Sequence, residues 1–319
     1  MKELCIVSGK GGTGKTTVSA AFASLAKNKV MADCDVDAAD LHLLLSPEVR
    51  RRESFIGART PRIDYELCGE CGDCQSWCRF DAIDLDFDKG FLIDPLACEH
   101  CGLCALVCPE EAIRMEDAVS GEWMVSDTRF GTLVHARLGI GEDNSGKLVT
   151  IVRREARRLA EGQGADLIIA DGPPGIGCPV TSAITGADLV LAVTEPTPSG
   201  IHDLERVAVL CRHFSAPLMV CINKHDINPE NSAHIRDWCG RNGVDAVGDI
   251  PFDPVVTRAL VARRSVADFD CGPVSEAVTR LWDAVSRRLA EPIRSGYAVP
   301  VNGDLLFMEG CPGALADSP

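Results

Sequence analysis

The sequence predicts an α/β fold in which a doubly wound, mostly parallel sheet carries a small inserted α+β domain. Three observations indicate this class. Short apolar segments that end in glycine or aspartate alternate with helix-forming segments, as in parallel sheets covered by helices on both faces. A glycine-rich loop at residues 8–14 follows the first apolar segment. A cysteine-rich stretch at 59–118 interrupts the alternation and contains an internal repeat.

The composition limits the class of protein. The chain has 319 residues, enough for one large domain and a small insert, and its formal net charge is −15. This charge argues against binding to nucleic acids or anionic membranes and favours partners with a basic surface. No apolar run reaches membrane-spanning length, and a strand starts at once, so we expect no signal peptide and a cytoplasmic protein. In that reducing setting, the 16 cysteines favour metal or redox chemistry over disulfides.

The glycine-rich loop matches a phosphate-binding loop. It fits the pattern G-x4-G-K-S/T and lies between an apolar strand at 4–7 and a predicted helix at 18–26. Glycines let backbone N–H groups converge on phosphate oxygens, Lys15 contacts the β- and γ-phosphates, and the Thr16 hydroxyl binds Mg²⁺. The predicted nucleotide-binding residues of this loop are Gly11, Gly12, Thr13, Gly14, Lys15, Thr16 and Thr17.

Carboxylates follow two further apolar segments. The segment at 30–45 reads as a buried strand ending in clustered acids, among them Asp33 and Asp35. A later strand ends at Asp171 and runs into a Gly/Pro-rich loop at 172–179. Because parallel strands end at one edge of the sheet, these acids lie near the phosphate loop, where they suit Mg²⁺ and the orientation of water. A solvated acidic turn is the alternative interpretation of Asp35.

A second lysine, Lys10, gives the loop the form S-G-K-G-G-T-G-K-T-T. This form resembles the deviant Walker A loop of the MinD/ParA/nitrogenase-iron-protein class of ATPases. The resemblance implies that Lys10 reaches the nucleotide of a partner subunit, in a homodimer or a paralogous heterodimer. It also implies catalytic roles for Lys15, for Asp35 as the residue that positions or activates water, and for Asp171, which acts on Mg²⁺. The loop at 172–179 resembles the switch II of that class.

The resemblance extends to the base. An N-K-x-D run at 223–226, after an apolar strand, is compatible with guanine recognition in a GTPase. In the MinD-like class, however, the matching Asn223 contacts adenine. The segment at 247–254 resembles the loop that covers the base in that class, which places Pro251 at the base. We therefore favour ATP.

The cysteine-rich stretch is a tandem duplication. C-x2-C-x2-C-x3-C occurs twice, thirty residues apart, each copy preceded by Ile-Asp and followed by Ala-Ile. Two such runs resemble the two-cluster bacterial ferredoxins, in which the fourth cysteine of each run binds the other cluster. The resemblance implies two 4Fe–4S clusters, one on Cys68, Cys71, Cys74 and Cys108 and one on Cys98, Cys101, Cys104 and Cys78. Zinc is the competing interpretation, although zinc modules usually pair two C-x2-C hooks across a longer spacer.

Cys178 is a further candidate ligand. It lies seven residues after Asp171, as does the cysteine with which the nitrogenase iron protein binds a cluster shared by two subunits. That protein supplies a second cysteine per subunit, and we find no equivalent here. An inert thiol is therefore the favoured interpretation, and a bridging cluster the alternative.

The remaining segments complete the sheet and its helices. We predict strands at 123–125, 133–136, 189–193 and 217–222, helices at 148–160 and 274–290, and an acidic, glycine-rich loop at 139–147. Asn144 or Ser145 is the expected N-cap of the helix at 148–160. This helix has an apolar face, and its arginines favour a solvated surface over a docking site.

These segments predict an ATPase domain at 1–58 and 119–290, an inserted ferredoxin domain at 59–118 and a Gly/Pro-rich tail at 291–319. The predicted function is ATP-dependent electron transfer to an unidentified redox partner, through a dimer gated by nucleotide. One alternative is an iron–sulfur cluster carrier of the Mrp type, which needs a C-x-x-C near the C-terminus, where this chain has only Cys311. The other is a ParA-like positioning ATPase. The tail lacks the basic amphipathic helix by which MinD binds membranes.

Overall fold

The computed structural model describes residues 1–139 and 145–291. The strands in these ranges are β1 Lys2–Ser8, β2 Lys29–Asp33, β3 Glu48–Ile63, β4 Ile83–Asp86, β5 Gly90–Ile93, β6 Ile113–Thr128, β7 Gly131–Leu138, β8 Leu167–Pro174, β9 Leu189–Thr194, β10 Leu218–Asn223 and β11 Asp245–Ile250. The helices are α1 Lys15–Leu25, α2 Leu41–Leu45, α3 Asp73–Ser76, α4 Leu103–Val107, α5 Ser145–Gln163, α6 Cys178–Ile184, α7 Pro198–His213, α8 Pro229–Arg241, α9 Val255–Val261 and α10 Pro273–Ala290.

Nine strands form one sheet in the order β11-β10-β9-β1-β8-β2-β7-β6-β3. All neighbours from β11 to β7 are parallel, and only β6 and β3 join antiparallel. The predicted doubly wound, mostly parallel sheet is therefore confirmed. Because β1, β2 and β8 are neighbours, the loop after β1 and the acids that end β2 and β8 meet at one edge of the sheet.

Helices cover both faces of the sheet. Along β1, Cys5 and Val7 belong to the core under α5, α6, α7 and α8, whereas Leu4 and Ile6 belong to the core under α1, α2, α9 and α10. This alternation follows from the two-residue period of a strand. The four side chains are fully buried, as expected for a central strand of a parallel sheet.

β3 and β6 extend beyond the sheet. They pair over their whole length, from Glu48 opposite Asp127 to Ile63 opposite Ile113. β7 pairs with β6 only as far as Gly121, so residues 56–63 and 113–120 form a two-stranded ribbon, here called the neck. The domain boundaries predicted at 59 and 118 fall inside this ribbon.

The neck carries a small insert made of α3, α4 and the β4–β5 hairpin. Its two halves repeat the same contacts thirty residues apart: the Asp64 N–H donates to the Ala112 carbonyl, and the Asp94 N–H donates to the Ala82 carbonyl. The insert has its own apolar core, formed by Cys74, Ile83, Phe91 and Ile113. Its local repetition explains why a separate domain of this size folds there.

Several segments differ from the sequence-based expectation. The strand predicted at 30–45 ends at Asp33, and Leu41–Leu45 forms the helix α2. Within the loop predicted at 172–179, residues 172–174 continue β8, because Pro174 pairs with Ser8 of β1. The helix predicted at 148–160 runs from Ser145 to Gln163.

The predicted N-cap Asn144, most of the acidic loop and the tail residue Cys311 lie outside the described residues. The arginines of α5 are largely engaged within the chain. Arg153 and Arg157 pair with Glu3, and Arg158 pairs with Glu155. Arg154 and Arg158 are exposed, as a solvated face requires. Arg153 is buried, so the expectation of a solvated side chain is wrong for this residue, because Glu3 and two carbonyls of the α6 end draw it inward.

Candidate functional site

The phosphate loop is shaped by glycines and braced by β10. Gly14 has a φ of 91° and directly precedes α1, and Gly12 has a φ of 81°. The Asn223 side chain donates from Nδ2 to the Thr13 carbonyl at 2.8 Å. A Cβ on Gly14 would lie 2.3 Å from that nitrogen, so glycine is needed both for the left-handed backbone and for this brace.

A compact charge cluster lies beneath the loop. The Lys15 ammonium is 3.1 Å from Asp171 Oδ1 and 3.2 Å from Asp35 Oδ2, and all three side chains are largely buried. Ser19, one turn further along α1, donates to the same Asp171 oxygen at 2.8 Å. Burial lowers the pKa of Lys15, but the charges of Asp171, Asp35 and Asp33 raise it more, so the net change is upward.

The cluster contains three acids for one ammonium. Burial, reinforced by the charge of Asp171, raises the pKa of Asp33; burial likewise raises the pKa of Asp35, although Lys15 opposes the change. At this site, three buried side-chain oxygens have no hydrogen-bond partner among the described residues: Thr13 Oγ1, Asp33 Oδ2 and Asp171 Oδ2. Unpartnered buried acceptors beside an excess of carboxylate suit a divalent cation, which prefers oxygen ligands.

Lys10 lies on another side of the loop. Its ammonium is 3.1 Å from Ser199 Oγ, 3.4 Å from Thr197 Oγ1 and 3.8 Å from Glu195 Oε2. Lys224 bonds the other oxygen of Glu195. Within one chain, these contacts of Lys10 are with the segment that joins β9 to α7 and with the first turn of α7.

A pocket of about 250 Å³ opens beside the phosphate loop. Gly12, Gly14, Thr17, Asn223 and Pro251 line it, and apolar residues of α1, α9 and α10 form its floor. The structure thus brings both predicted base-site residues next to the loop. The acid of the N-K-x-D run, Asp226, accepts a hydrogen bond from the Phe252 N–H at 2.7 Å.

The eight cysteines of the repeat line two pockets in the insert. Cys68, Cys71, Cys74 and Cys108 surround one, and Cys98, Cys101, Cys104 and Cys78 surround the other. Each pocket has about 340–350 Å³ of empty space, open solvent at its mouth included. The structure therefore groups the thiols in the two sets that the repeat implied, with the fourth cysteine of each run in the opposite set.

The two exchanged cysteines have equivalent surroundings. The Ala82 N–H donates to Cys78 Sγ at 3.4 Å, and the Ala112 N–H donates to Cys108 Sγ at 3.3 Å. Burial, followed by neighbouring thiols, raises the pKa of Cys104 to about 11. Cys74 of the other pocket contributes to this rise, so the pockets are neighbours. Among the described residues, no three His, Cys, Asp or Glu side chains form a group that would hold one metal ion.

Cys178 is the first residue of α6 and is exposed. A Cβ on Gly146 of α5 would lie 3.4 Å from the Cys178 Cβ, so this residue faces the first turn of α5.

The chain's family follows from comparison with known proteins. Residues 4–279 match the family model described as CobQ/CobB/MinD/ParA nucleotide binding domain, CbiA. The chain belongs to this family. It is similar to two uncharacterized proteins of Methanocaldococcus jannaschii. MJ0578 is 32% identical over 287 residues, 88% of this chain and 95% of that protein. MJ0579 is 30% identical over 236 residues, 72% and 83% respectively.

Part of the chain and its fold have further relatives. The uncharacterized ferredoxin MJ0199 of the same organism is 38% identical over 56 residues, 17% of this chain and 90% of the ferredoxin. The structure of the septum site-determining protein MinD from Pyrococcus horikoshii, complexed with Mg-ADP, has a TM-score of 0.54 at 18% identity. The superposed region covers 90% of this chain and 96% of the MinD chain. This similarity shows that the two chains share a fold. None of the described helices is long and apolar enough to cross a membrane.

Sequence reasoning missed one residue of the site, Ser19, and one contact, between Asn223 and Thr13. Ser19 lies four residues after Lys15, one helical turn away, and that spacing was a usable signal for a side chain facing Asp171. The brace from Asn223 to Thr13 joins positions 210 residues apart. No local sequence pattern predicts such a contact, because it depends on β10 and β1 ending at the same edge of the sheet.

Proposed function

We propose that this chain is an ATP-dependent iron–sulfur electron-transfer protein whose nucleotide state gates transfer to a redox partner. The observation that carries the proposal is the continuity of β3 and β6, which run from the nucleotide-binding sheet to the two four-cysteine pockets. The similarity to a ferredoxin over 56 residues supports the iron–sulfur part. Membership of a nucleotide-binding family supports the ATPase part.

The pockets fit clusters by the chemistry of their donors. Each offers four thiols, one of which comes from the other repeat. Glu99 also lines one pocket, and Glu70 and Glu110 line the other. Four thiolates are the ligand set of a 4Fe–4S cluster. The N–H groups of Ala82 and Ala112, which donate to Cys78 and Cys108, would stabilise the negative charge on those sulfurs. Two bound clusters would supply one-electron redox centres.

The nucleotide half is assigned to Mg-ATP. Backbone N–H groups of residues 11–16 and the Lys15 ammonium would bind phosphates, and Thr16 and Asp171 would hold Mg²⁺ directly or through water. Asp35 would orient the attacking water. The unpartnered oxygens of Asp33 and Asp171 support a cation at this place. Asp226 is occupied by the Phe252 N–H, which favours adenine because guanine recognition needs that carboxylate free.

Lys10 is assigned to a second subunit. Within one chain it lies with Ser199, Thr197 and Glu195, so contact with a phosphate requires it to leave these residues. A deviant Walker A lysine acting in trans would do so when two chains close around ATP. A homodimer and a paralogous pair both satisfy this geometry. The presence of two similar proteins, MJ0578 and MJ0579, in one organism supports a pair.

The test has two parts, both under anaerobic conditions. Purified protein should contain about eight iron atoms per chain, from two clusters of four. Mg-ATP, but not Mg-ADP, should then change the midpoint potential or the rate at which a chelator removes iron. Lys15→Met provides the matched control, because it removes the phosphate contact while leaving every cysteine in place.

Two results would contradict the proposal. Stoichiometric zinc without iron, after anaerobic reconstitution, would exclude the clusters. Identical potentials, chelation rates and redox-partner affinities with ATP and ADP would show that the two halves only share a chain. Transfer of intact clusters to an acceptor apoprotein, without electron transfer, would instead support the cluster-carrier alternative.

A further inference from the structure

The neck leaves the sheet where the paired strands β3 and β6 are bulged and closely packed. The register of β3 against β6 shifts on both sides of Ile56, and such bulges bend and twist a strand. A Cβ on Gly57 would lie 2.9 Å from the Ser120 Cβ, and one on Gly121 would lie 2.6 Å from a backbone oxygen of β7. These glycines therefore permit the close packing. Residues 55–57 and 120–121 are here called the pivot, because the pairing of β6 with β7 ends at Gly121.

The first turn of α5 holds the pivot. The Lys147 ammonium donates to the Ile56 carbonyl at 3.1 Å. It also lies 5.7 Å from the centre of the Phe55 ring, and Phe55 is buried in the core of the sheet. The register shifts on both sides of Ile56 interrupt the regular ladder here, and the Lys147 bond adds a contact from α5 to this part of β3.

A second contact joins α5 to the same strand. Glu155, in the middle of α5, pairs with Arg51 of β3. The Arg51 guanidinium lies 4.7 Å from the centre of the Trp123 ring of β6. One helix therefore contacts β3 at two places, one beside the pivot and one inside the sheet. A change in the position of α5 must alter the angle at which the neck leaves the sheet.

Helix α5 is fixed to α6 by a buried arginine. Arg153 donates to the carbonyls of Ser182 at 2.5 Å and Thr185 at 2.9 Å, both at the end of α6, and to Glu3 at 2.6 Å. Its side chain is only 7% exposed. The two bonds to carbonyls hold the end of α6 against α5. The buried pair with Glu3 also ties α5 to β1, because breaking it would leave an uncompensated charge. Gly146 packs on Cys178 at the other end of α6.

Helix α6 is joined to the nucleotide site by three residues. β8 ends at Pro174, and α6 begins at Cys178. The intervening segment starts with Gly175, whose φ is 91° and whose N–H donates to the Ser8 carbonyl at 2.8 Å. Asp171, which pairs with Lys15, lies in the same strand. A ligand that alters this ion pair acts on a strand end that leads directly into α6.

We propose that α5 and α6, held together by Arg153, couple the nucleotide site to the pivot, with Lys147 as the positioning residue at the pivot. This inference deepens the proposed function and rests on it for the role of the insert. Two nucleotide states that favour different positions of α6 would set two positions of the neck. The distance between the cysteine pockets and a docked partner would change accordingly.

The test measures hydrogen–deuterium exchange in the neck of the iron-loaded protein. Amides of residues 113–120 are followed anaerobically with Mg-ADP and with a non-hydrolysable Mg-ATP analogue. We expect an exchange difference of about fivefold between the two states, the lower end of ordinary site-to-site coupling. Lys147→Met should reduce it to less than about twofold, because the donor and the charge are both lost. Lys147→Arg should retain it.

The control variant is Arg154→Met. It removes an exposed charge two turns further along α5, and it should retain the full difference in exchange between the two nucleotide states. None of these residues touches the nucleotide site, so nucleotide affinity should be unchanged in all three variants. Equal exchange of the neck in both nucleotide states would overturn the inference, as would a full difference in Lys147→Met. Either result can occur while iron content is normal and the potential or the chelation rate still differs between ATP and ADP. Failure of the proposed function appears instead as zinc in place of iron, or as identical potentials, chelation rates and partner affinities in the two nucleotide states.

Discussion

The nucleotide site and the cysteine pockets are built by opposite means. The nucleotide site joins Lys15 to Asp171, which lies 156 residues away, and depends on the order of strands across the whole sheet. The pockets draw all eight thiols from one tandem repeat between Cys68 and Cys108. The nucleotide site is held by buried ion pairs, whereas the cysteine pockets are formed by a short segment that occurs twice in tandem. Damage to either should therefore leave the other intact, which the following changes examine.

Removing the central cation has the largest expected effect. Lys15→Met leaves Asp35 and Asp171 without their partner, and we expect the free energy of unfolding to fall by about 3 kcal/mol. ATP hydrolysis should fall at least about 100-fold, because a preorganised phosphate contact is lost. Urea unfolding and steady-state hydrolysis measure the two effects, and iron content should not change. Lys2→Met is the control, since Lys2 pairs with Asp188 at the surface. A loss of iron would contradict the separation.

Removing one thiol should empty one pocket only. In Cys108→Ser we expect iron to fall from about eight to about four atoms per chain, with ATP binding retained. EPR of the reduced protein should show the same remaining signal in Cys108→Ser and Cys74→Ser, since both residues line one pocket. Cys104→Ser should leave the other signal. If Cys108→Ser instead matched Cys104→Ser, each run would bind its own cluster.

A methyl group on the phosphate loop should weaken only the nucleotide site. Gly14→Ala adds strain at a φ of 91° and displaces Asn223 from the Thr13 carbonyl, so we expect ATP affinity to fall about tenfold. Gly12→Ala has a similar φ but nothing within 4 Å of the new Cβ, and its loss should be smaller. Isothermal titration calorimetry compares the two. Equal losses would remove the role of the brace.

Acid should act on the sheet through a buried histidine. His135 lies 2.8 Å from Ser126 Oγ, and burial, then the charge of His42, lowers its pKa to about 4, with Glu122 and Arg52 as the other charges nearby. The unfolded chain protonates this ring near pH 6.5. It therefore binds more protons than the folded chain between pH 6.5 and 4, and stability is lost as the pH falls through that range.

We expect a loss of about 1 kcal/mol between pH 7 and 5.5 from this residue. Urea unfolding at the two pH values measures it, with the iron content checked at each. His135→Gln cannot titrate and should lose correspondingly less over the same interval. An identical pH dependence in that variant would assign the effect to other groups.

The sequence predicts local patterns well and distant contacts poorly. The alternating segments and the strand-ending acids predict the parallel sheet, which the structure confirms. The run Leu41–Leu45 reads as an extension of a strand because a short apolar run has no decisive period; it forms a helix because its leucines pack on the core below α1. β3 and β6 are not recognisable as long strands from the sequence, because they carry many arginines and acids and so resemble a polar linker. In the structure these charges pair across the two strands.

The cysteine sets show the favourable case. Their grouping is predicted from the resemblance of a local repeat to the two-cluster ferredoxins, and it needs no contact with a distant part of the chain. The contacts of Arg153 with Glu3 and of Asn223 with Thr13 span 150 and 210 residues. They exist only after the sheet has set the distance between its helices. No short pattern can encode them.

The exchange of the fourth cysteines sets an order of biosynthesis. During synthesis from the N-terminus, the set that contains Cys78 is complete once Cys104 has been added. The set that begins with Cys68 is complete only after Cys108 has been added. Neither set is held until β6 emerges and pairs with β3, which is made about fifty residues earlier. Until then β3 is an unpaired strand, protected from association with other chains by its arginines and Pro61. The proposed clusters would therefore be inserted only after β6 has left the ribosome and paired with β3.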